Sequence, residues 1–511
     1  MNQQKIDFQK IADIFRIPLT KDPLFFWLIF ILSSINPVIS YIDGDWIDLF
    51  LVTIFYYLVS YILLFITSNI WTLGRILKPI ILCILFTHTV IALFCRIEFG
   101  RALDNDIISI LSQTNIREIT EFVTSFFSLW TICLCLLLLS ALLLLHLFAY
   151  YKFNIRLSSK ATDIHLMAVL YCAIVFIFCP ERTLNIVAEA GVWNIPFDNV
   201  CVNLKMYERE DYQLEEMQED RPDKIVVIIG ESHAKSHSSL YGYNKLTNPL
   251  LEKLECDSSL FVFTNVTSPA LYTVRAFKYI LNTMQNGDDE RLWYQYPTII
   301  SLMKSVGYHT LWFSNQDEVG LYDCTASSFA HLCDEYTFNN EPSRLDGSLI
   351  GLHNSTHEKE LVVYNLMGQH VDFSKRYPAQ FARFKPEDYA DKAKHQRKVL
   401  SDYDNACLYN DYVISKIMNE YSKQDAVVIY LSDHGLDLFD SSDRYYGHAK
   451  KSNGKSLQCG TNIPFFIYVS DTFKNLHPKT HKMLFQSTAD EFCTENLTSF
   501  ILNIVGYKYH S

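Results

Sequence analysis

The stretch KIVVIIGES, residues 224–232, decides the reading of the fold: five β-branched apolar residues in a row, then Gly230, then Glu231. A run of this kind with no polar alternation predicts a strand buried on both faces, as the inner strands of parallel sheets are. AVVIYLSDHG, residues 426–435, repeats the pattern and ends on Asp433 and His434. Further strand-like runs at 260–263, 309–313, 361–367 and 465–469 alternate with helical stretches such as 298–305 and 405–421. Strands alternating with helices imply an α/β domain with a mostly parallel sheet between helices. Ligands of such sheets collect at the carboxyl ends of the strands, so the residues just after each strand are the first candidates for chemistry.

Toward the N-terminus the composition changes. The 511 residues are 49% hydrophobic and 20% charged, averages that conceal two unlike parts. Five apolar runs, 23–42, 49–68, 79–95, 124–148 and 164–179, carry almost no charge. They are close to the roughly 17–25 apolar residues with which a helix crosses a bilayer core. Helices buried in a soluble core would alternate polar and apolar faces. No short hydrophobic segment is followed by a small-residue cleavage site, so a cleaved signal peptide fits poorly.

Lys and Arg are retained on the cytoplasmic side of a membrane. Lys5, Lys10, Arg16 and Lys21 precede the first run, Arg75 and Lys78 lie between the second and third, and Lys152, Arg156 and Lys160 lie between the fourth and fifth. These segments are expected to face the cytoplasm. An odd number of spans then puts the C-terminal domain outside it. The predicted division is a transmembrane domain over 1–182 with a membrane-surface helix near 101–121, a connector over 183–221, and a catalytic domain over 222–511. The net charge of -12 offers no clustered basic face to displace counterions from phosphates, which excludes a nucleic-acid binder. Of the thirteen cysteines, Cys324 and Cys333 are close enough in sequence to close a short loop in an oxidising compartment. No CxxC pair points to a thiolate zinc cluster.

Glu231, Asp433 and His434 at two strand ends are a donor set that zinc or manganese accepts. A single such strand end is ordinarily a satisfied turn; two at the binding edge of one domain point to a site. The stretch NVTSPALYTVRAF, residues 265–277, offers Thr273 at the start of a short helix, where free amides and the helix dipole favour a phosphoryl group. Read alone, such a residue is most often an N-cap. His233 and His237 stand four apart, and the expectation for them is a solvated or substrate-facing role.

GESHAKSHSSLYGYNKLTNP, residues 230–249, resembles the opening motif of bacterial phosphoethanolamine transferases of the alkaline phosphatase and sulfatase superfamily. YDNACLYNDYVI at 403–414 and LSDHG at 431–435 match in order and spacing, and the N-terminal region looks like the family's membrane domain. The resemblance implies a zinc site of Glu231, Thr273, Asp433 and His434, with Thr273 as the nucleophile that becomes modified. It implies further that His370, in LMGQHVDFSKRYP, and His448, in YYGHAK, hold the phosphate or a second metal. Gln113, Asn115 and Glu118 resemble a family segment that contacts the lipid head group, and Lys235 stands where the motif commonly has arginine. The implied partners are phosphatidylethanolamine as donor, lipopolysaccharide or another envelope glycan as acceptor, and the bilayer of the bacterial inner membrane. One departure weakens the match at His448: LDLFDSSDRYYGH replaces the family's Gly-Glu pair after Asp-His-Gly. A phosphoglycerol transferase or a sulfatase of the same superfamily is the nearest rival, although no Cys-x-Pro-Ser-Arg motif of a sulfatase occurs. A non-catalytic membrane sensor or scaffold is the rival from another class.

Overall fold

The computed structural model describes residues 8–41, 46–69, 71–96, 129–152, 158–178, 204–206, 212–218, 221–288, 291–316, 318, 325–339, 345–442, 446–448 and 454–510. They fall into two compact units, the first within Met1–Leu111 and Val123–Phe197.

The first unit is helical: α1 (Phe8–Lys21), α2 (Pro23–Tyr41), α3 (Trp46–Asn69), α4 (Trp71–Phe94), α5 (Leu129–Lys152) and α6 (Ser159–Phe178). Among the described residues, Trp46–Ser68, Ile76–Phe94 and Lys160–Ile177 are long and apolar enough to cross a bilayer, and Gln9–Lys21 with Pro23–Ile39 makes a fourth span if a pair bent by 78° counts as one. Three of the expected five spans, or four with the bent pair, are thus found among the described residues. The expected fourth run coincides with α5, whose described apolar part is Cys135–Leu144. The bend falls at Asp22, where Pro23 cannot continue the hydrogen-bond ladder of α1. Asp22 Oδ1 accepts from the amide of Phe25 at 3.0 Å, and its Oδ2 pairs with Lys78 of α4 at 2.7 Å, both side chains buried. His165 meets the Tyr57 hydroxyl at 2.5 Å and is edged by Phe26 and Trp27. The segment 101–121, with Gln113, Asn115 and Glu118, lies outside the described residues, as does Cys324.

The second unit is built on a seven-stranded sheet: β1 (Lys224–Gly230), β2 (Leu260–Phe263), β3 (His309–Ser314), β4 (Glu335–Phe338), β5 (Glu360–Asn365), β6 (Ala426–Ser432) and β7 (Phe465–Val469), in the order β2-β7-β6-β1-β5-β3-β4. Every residue of β1, β5 and β6 is buried. Period-two alternation sends Ile225, Val227 and Ile229 into one apolar layer with Phe277 and Ile280, and Val226 and Ile228 into the other with Val413, Ile414 and Ile417. Each such side chain stabilises the fold by about 1.5–3 kcal/mol.

The sheet is mixed, which corrects the expectation of a mostly parallel one: β7 runs antiparallel to both β2 and β6. The cause is connectivity. Phe465 pairs with Leu431 and with Phe263, so the chain leaves β6 and enters β7 at the same, carboxyl edge. With β1 parallel to β5 and β6, the strands β1, β2, β5 and β6 all end on that edge, and the residues just after them are delivered to one place.

Candidate metal centre and nucleophile

Gly230 pairs with Ser432 in parallel register, and the amide of Asp433 donates to the Gly230 carbonyl at 3.0 Å. The next residues, Glu231 and Asp433, are thus adjacent at the sheet edge. Ser232 follows with a φ of 56°, a left-handed conformation that costs a non-glycine residue roughly 1–3 kcal/mol. It is held there from three directions. Its amide donates to Asp433 Oδ1 at 3.1 Å, its hydroxyl to Glu231 Oε1 at 2.7 Å, and its carbonyl accepts from the Tyr403 hydroxyl at 2.8 Å.

One ligand-capable atom from each of Glu231, Asp433 and His434 lies within 4.8 Å of the others, and all three residues are buried. His434 Nδ1 faces the Gly435 carbonyl at 2.8 Å, a contact that requires the proton on Nδ1. That leaves Nε2 directed at the carboxylates, 3.5 Å from Glu231 Oε1 and 3.6 Å from Asp433 Oδ2, as the ring nitrogen a cation could use once it replaces the proton there. Thr273 is the first residue of α7 (Thr273–Ile280), after the N-cap Tyr272. Its hydroxyl is not used as a cap: it donates to Glu231 Oε2 at 2.9 Å and lies 3.4 Å from His434 Nε2.

The charges of this cluster are unbalanced. Burial pushes the Glu231 carboxyl up, but the hydrogen bond and charge of His434, the charge of His370 and the Ser232 hydroxyl outweigh it and hold the group well below the usual carboxylate range. Asp433, buried beside that anion, is pushed up to about 7. Burial lowers the His434 imidazole, yet the two carboxylates raise it to about 9. Asp433 Oδ2 is buried without a hydrogen bond, an expensive state for a carboxylate oxygen. Two carboxylates, an imidazole and a hydroxyl converging on that oxygen fit a small divalent cation.

His448 is brought to the same place: its ring lies 4.9 Å from that of His434 and 5.0 Å from that of Tyr272. His370 sits in the turn after β5, near enough for its charge to be felt at Glu231. Lys235 is turned elsewhere, donating to the Thr264 carbonyl and lying over the Tyr241 ring. His233 and His237 depart from the expectation of a solvated role, for both are buried. His233 Nδ1 meets the Tyr430 hydroxyl at 2.9 Å, and His237 Nδ1 meets Asp404 at 3.0 Å.

The support beneath the cluster was not foreseen from the sequence. On α8 (Lys394–Glu420), Tyr403 bridges the Ser232 carbonyl and the Ala234 amide, and Asp404 gathers His237, Tyr243 and Tyr389. Asp346 accepts from the amides of Met367 and Gly368 at 2.8 Å each and so fixes the turn that carries His370. The available signal was the row of polar residues at helical spacing in YDNACLYND, on a helix face that has to be buried.

Residues 223–507 match the family model described as Sulfatase. Residues 58–184 match the one described as Phosphoethanolamine transferase EptA/EptB. Among curated proteins the chain is similar to phosphoethanolamine transferase EptC of Escherichia coli strain K12, with 23% identity over 457 residues, 79% of this chain and 76% of that protein. Among solved structures, the integral membrane protein lipooligosaccharide phosphoethanolamine transferase A of Neisseria meningitidis aligns with 97% of this chain and 95% of its own, at a TM-score of 0.62 and 18% identity. The C-terminal periplasmic domain of EcEptC from Escherichia coli, solved as a complex with zinc, aligns with 58% of this chain and 86% of its own, at a TM-score of 0.53 and 24% identity. These two likenesses establish a common fold.

Proposed function

Because this chain belongs to the sulfatase family by the match over residues 223–507, we propose that it is a membrane phosphoethanolamine transferase that works through a covalent adduct on Thr273. The observation that carries the reading is the Thr273 hydroxyl held 2.9 Å from Glu231 Oε2 beside Asp433 and His434. The donor is phosphatidylethanolamine. The acceptor is lipopolysaccharide, at a lipid A phosphate or a core sugar. The E. coli and Neisseria relatives, named as phosphoethanolamine transferases, support this assignment.

Glu231, Asp433, His434 and Thr273 are the residues that hold zinc in this reading, with manganese as the alternative. When bound, the cation lowers the pKa of the hydroxyl and offsets phosphoryl charge. Glu231 Oε2 holds the Thr273 proton in the resting state and orients the oxygen. Thr273 gives up its proton to solvent by way of Glu231 Oε2 as its Oγ1 attacks phosphorus; the bond from phosphorus to the glycerol oxygen breaks, and diacylglycerol leaves with a proton. In this reading His448 and His370 face the phosphoryl oxygens and one of them supplies that proton. In the second half-reaction an acceptor oxygen attacks the adduct, the bond to Thr273 breaks, and the hydroxyl is restored. Gln113, Asn115 and Glu118 are assigned to the lipid head group.

The chain is divided in this proposal into a five-span membrane domain over 1–182, a connector over 183–221 and a periplasmic domain over 222–511, with a cytoplasmic N-terminus in a bacterial inner membrane. Intact-mass analysis after incubation with phosphatidylethanolamine is expected to show one phosphoethanolamine on wild type and none on Thr273→Ala. Absence from both overturns the reading in favour of a scaffold. Fluorescent phosphatidylethanolamine is expected to release diacylglycerol where phosphatidylglycerol does not, and the reverse pattern identifies a phosphoglycerol transferase.

A further inference from the structure

At the amino edge of the sheet, opposite the candidate centre, three elements begin within reach of one another. His309 opens β3, Glu335 opens β4, and His357 lies just ahead of β5. His309 Nε2 is 3.0 Å from Glu335 Oε1. The His357 ring stacks on the His309 ring at 3.8 Å and 20°. One ligand-capable atom from each of the three lies within 4.8 Å of the others.

Asp334 stands behind His309, its Oδ2 3.5 Å from His309 Nδ1. That carboxylate is anchored by the Thr310 amide and hydroxyl, both at 2.9 Å, and by Lys304 at 3.0 Å. A carboxylate behind one nitrogen of an imidazole selects the tautomer that puts the proton on that nitrogen and frees the other as a ligand. Nε2 lies at hydrogen-bond distance from the Glu335 oxygen, so a bound cation would take the place of the proton between them. The stacked His357 ring brings a second imidazole beside the same carboxylate.

We propose that His309, Glu335 and His357 form a second, structural site for a late first-row divalent cation such as zinc, with Asp334 orienting His309. Two imidazoles and one carboxylate are a zinc donor set, and the exposure of Glu335 and His357 leaves a coordination position for solvent. The cation ties together the first residues of β3 and β4 and the segment that leads into β5. The site shares no residue with the catalytic cluster, so it stands or falls independently of the proposed reaction.

The test uses metal-stripped full-length protein in detergent micelles, titrated with Zn2+ and counted by mass spectrometry of the metal. His357→Ala alters an exposed side chain and is expected to bind one equivalent less than wild type, with an unchanged circular dichroism spectrum. In a Glu231→Ala background, where the catalytic cluster is broken, Zn2+ is expected to raise the thermal midpoint, and adding His357→Ala is expected to abolish that rise. Equal zinc content with and without His357, or an equal thermal response, overturns the proposal and leaves a histidine pair that holds only protons.

Discussion

Single residues set the geometry of the centre through backbone positions that few side chains tolerate. Ser232 is held at positive φ by the groups that it orders, so the strain and the carboxylate alignment are one feature. Gly368, at a φ of 49°, makes the turn that carries His370, and a Cβ there would stand 2.8 Å from both the nitrogen and the oxygen of Glu231. Gly368→Ala therefore displaces Glu231 and His370 together. A misplacement of about 1 Å costs a catalytic site on the order of 10²-fold. The expected outcome is a loss of about that size in phosphoethanolamine transfer with weaker zinc retention, read from head-group release kinetics and metal content; wild-type kinetics would show that the turn does not position the centre.

Elements act here by what their ends bring together. At the carboxyl edge, β1 and β6 in register supply Glu231 and Asp433, while α8 carries the polar face that grips the loop after β1. The amino edge is held by a buried ion pair between the first residues of β1 and β5. Lys224 lies 3.0 Å from Glu360, which also meets His353 at 2.8 Å. Burial pushes the Glu360 carboxyl up, but His353, Ser355 and Lys224 prevail and hold it down to about 2, against an ordinary 4.5. A carboxyl depressed on folding contributes stability that is present above its unfolded pKa and is lost as pH falls through the folded one. Glu360→Gln leaves Lys224 buried without its anion, a defect of roughly 3–5 kcal/mol at neutral pH. The gap between wild type and this variant, followed by thermal unfolding at a series of pH values, is expected to shrink from pH 4.5 to pH 2. A constant gap contradicts the pairing.

For the whole molecule, a membrane unit of apolar helices beside an α/β unit suits the proposed reaction, whose substrates are amphiphiles, and makes orientation in the membrane the property to measure. The basic segments before the first apolar run and between alternate runs predict a C-terminus outside the cytoplasm. Alkaline phosphatase fused after residue 511 is expected to be active and a fluorescent protein fused there dark; the opposite result removes the odd-span topology. The two-part chain, the strands ending at Glu231 and Asp433, and the start of a helix at Thr273 were legible in the sequence, because hydrophobic period and turn chemistry are local. The edge strand β4 was missed, since three of its four residues are exposed and carry no buried-strand pattern. α8 was read short for the same reason, its first turns being as polar as a loop. The antiparallel course of β7 was invisible because strand direction depends on the route of the connection, and no residue within β7 records it. The convergence of Glu231, Thr273, Asp433 and His434, up to 203 positions apart in the chain, was decided by the tertiary structure alone. Parallel register and a shared carboxyl edge are relations between strands, whereas the sequence fixes only what each strand carries to its end.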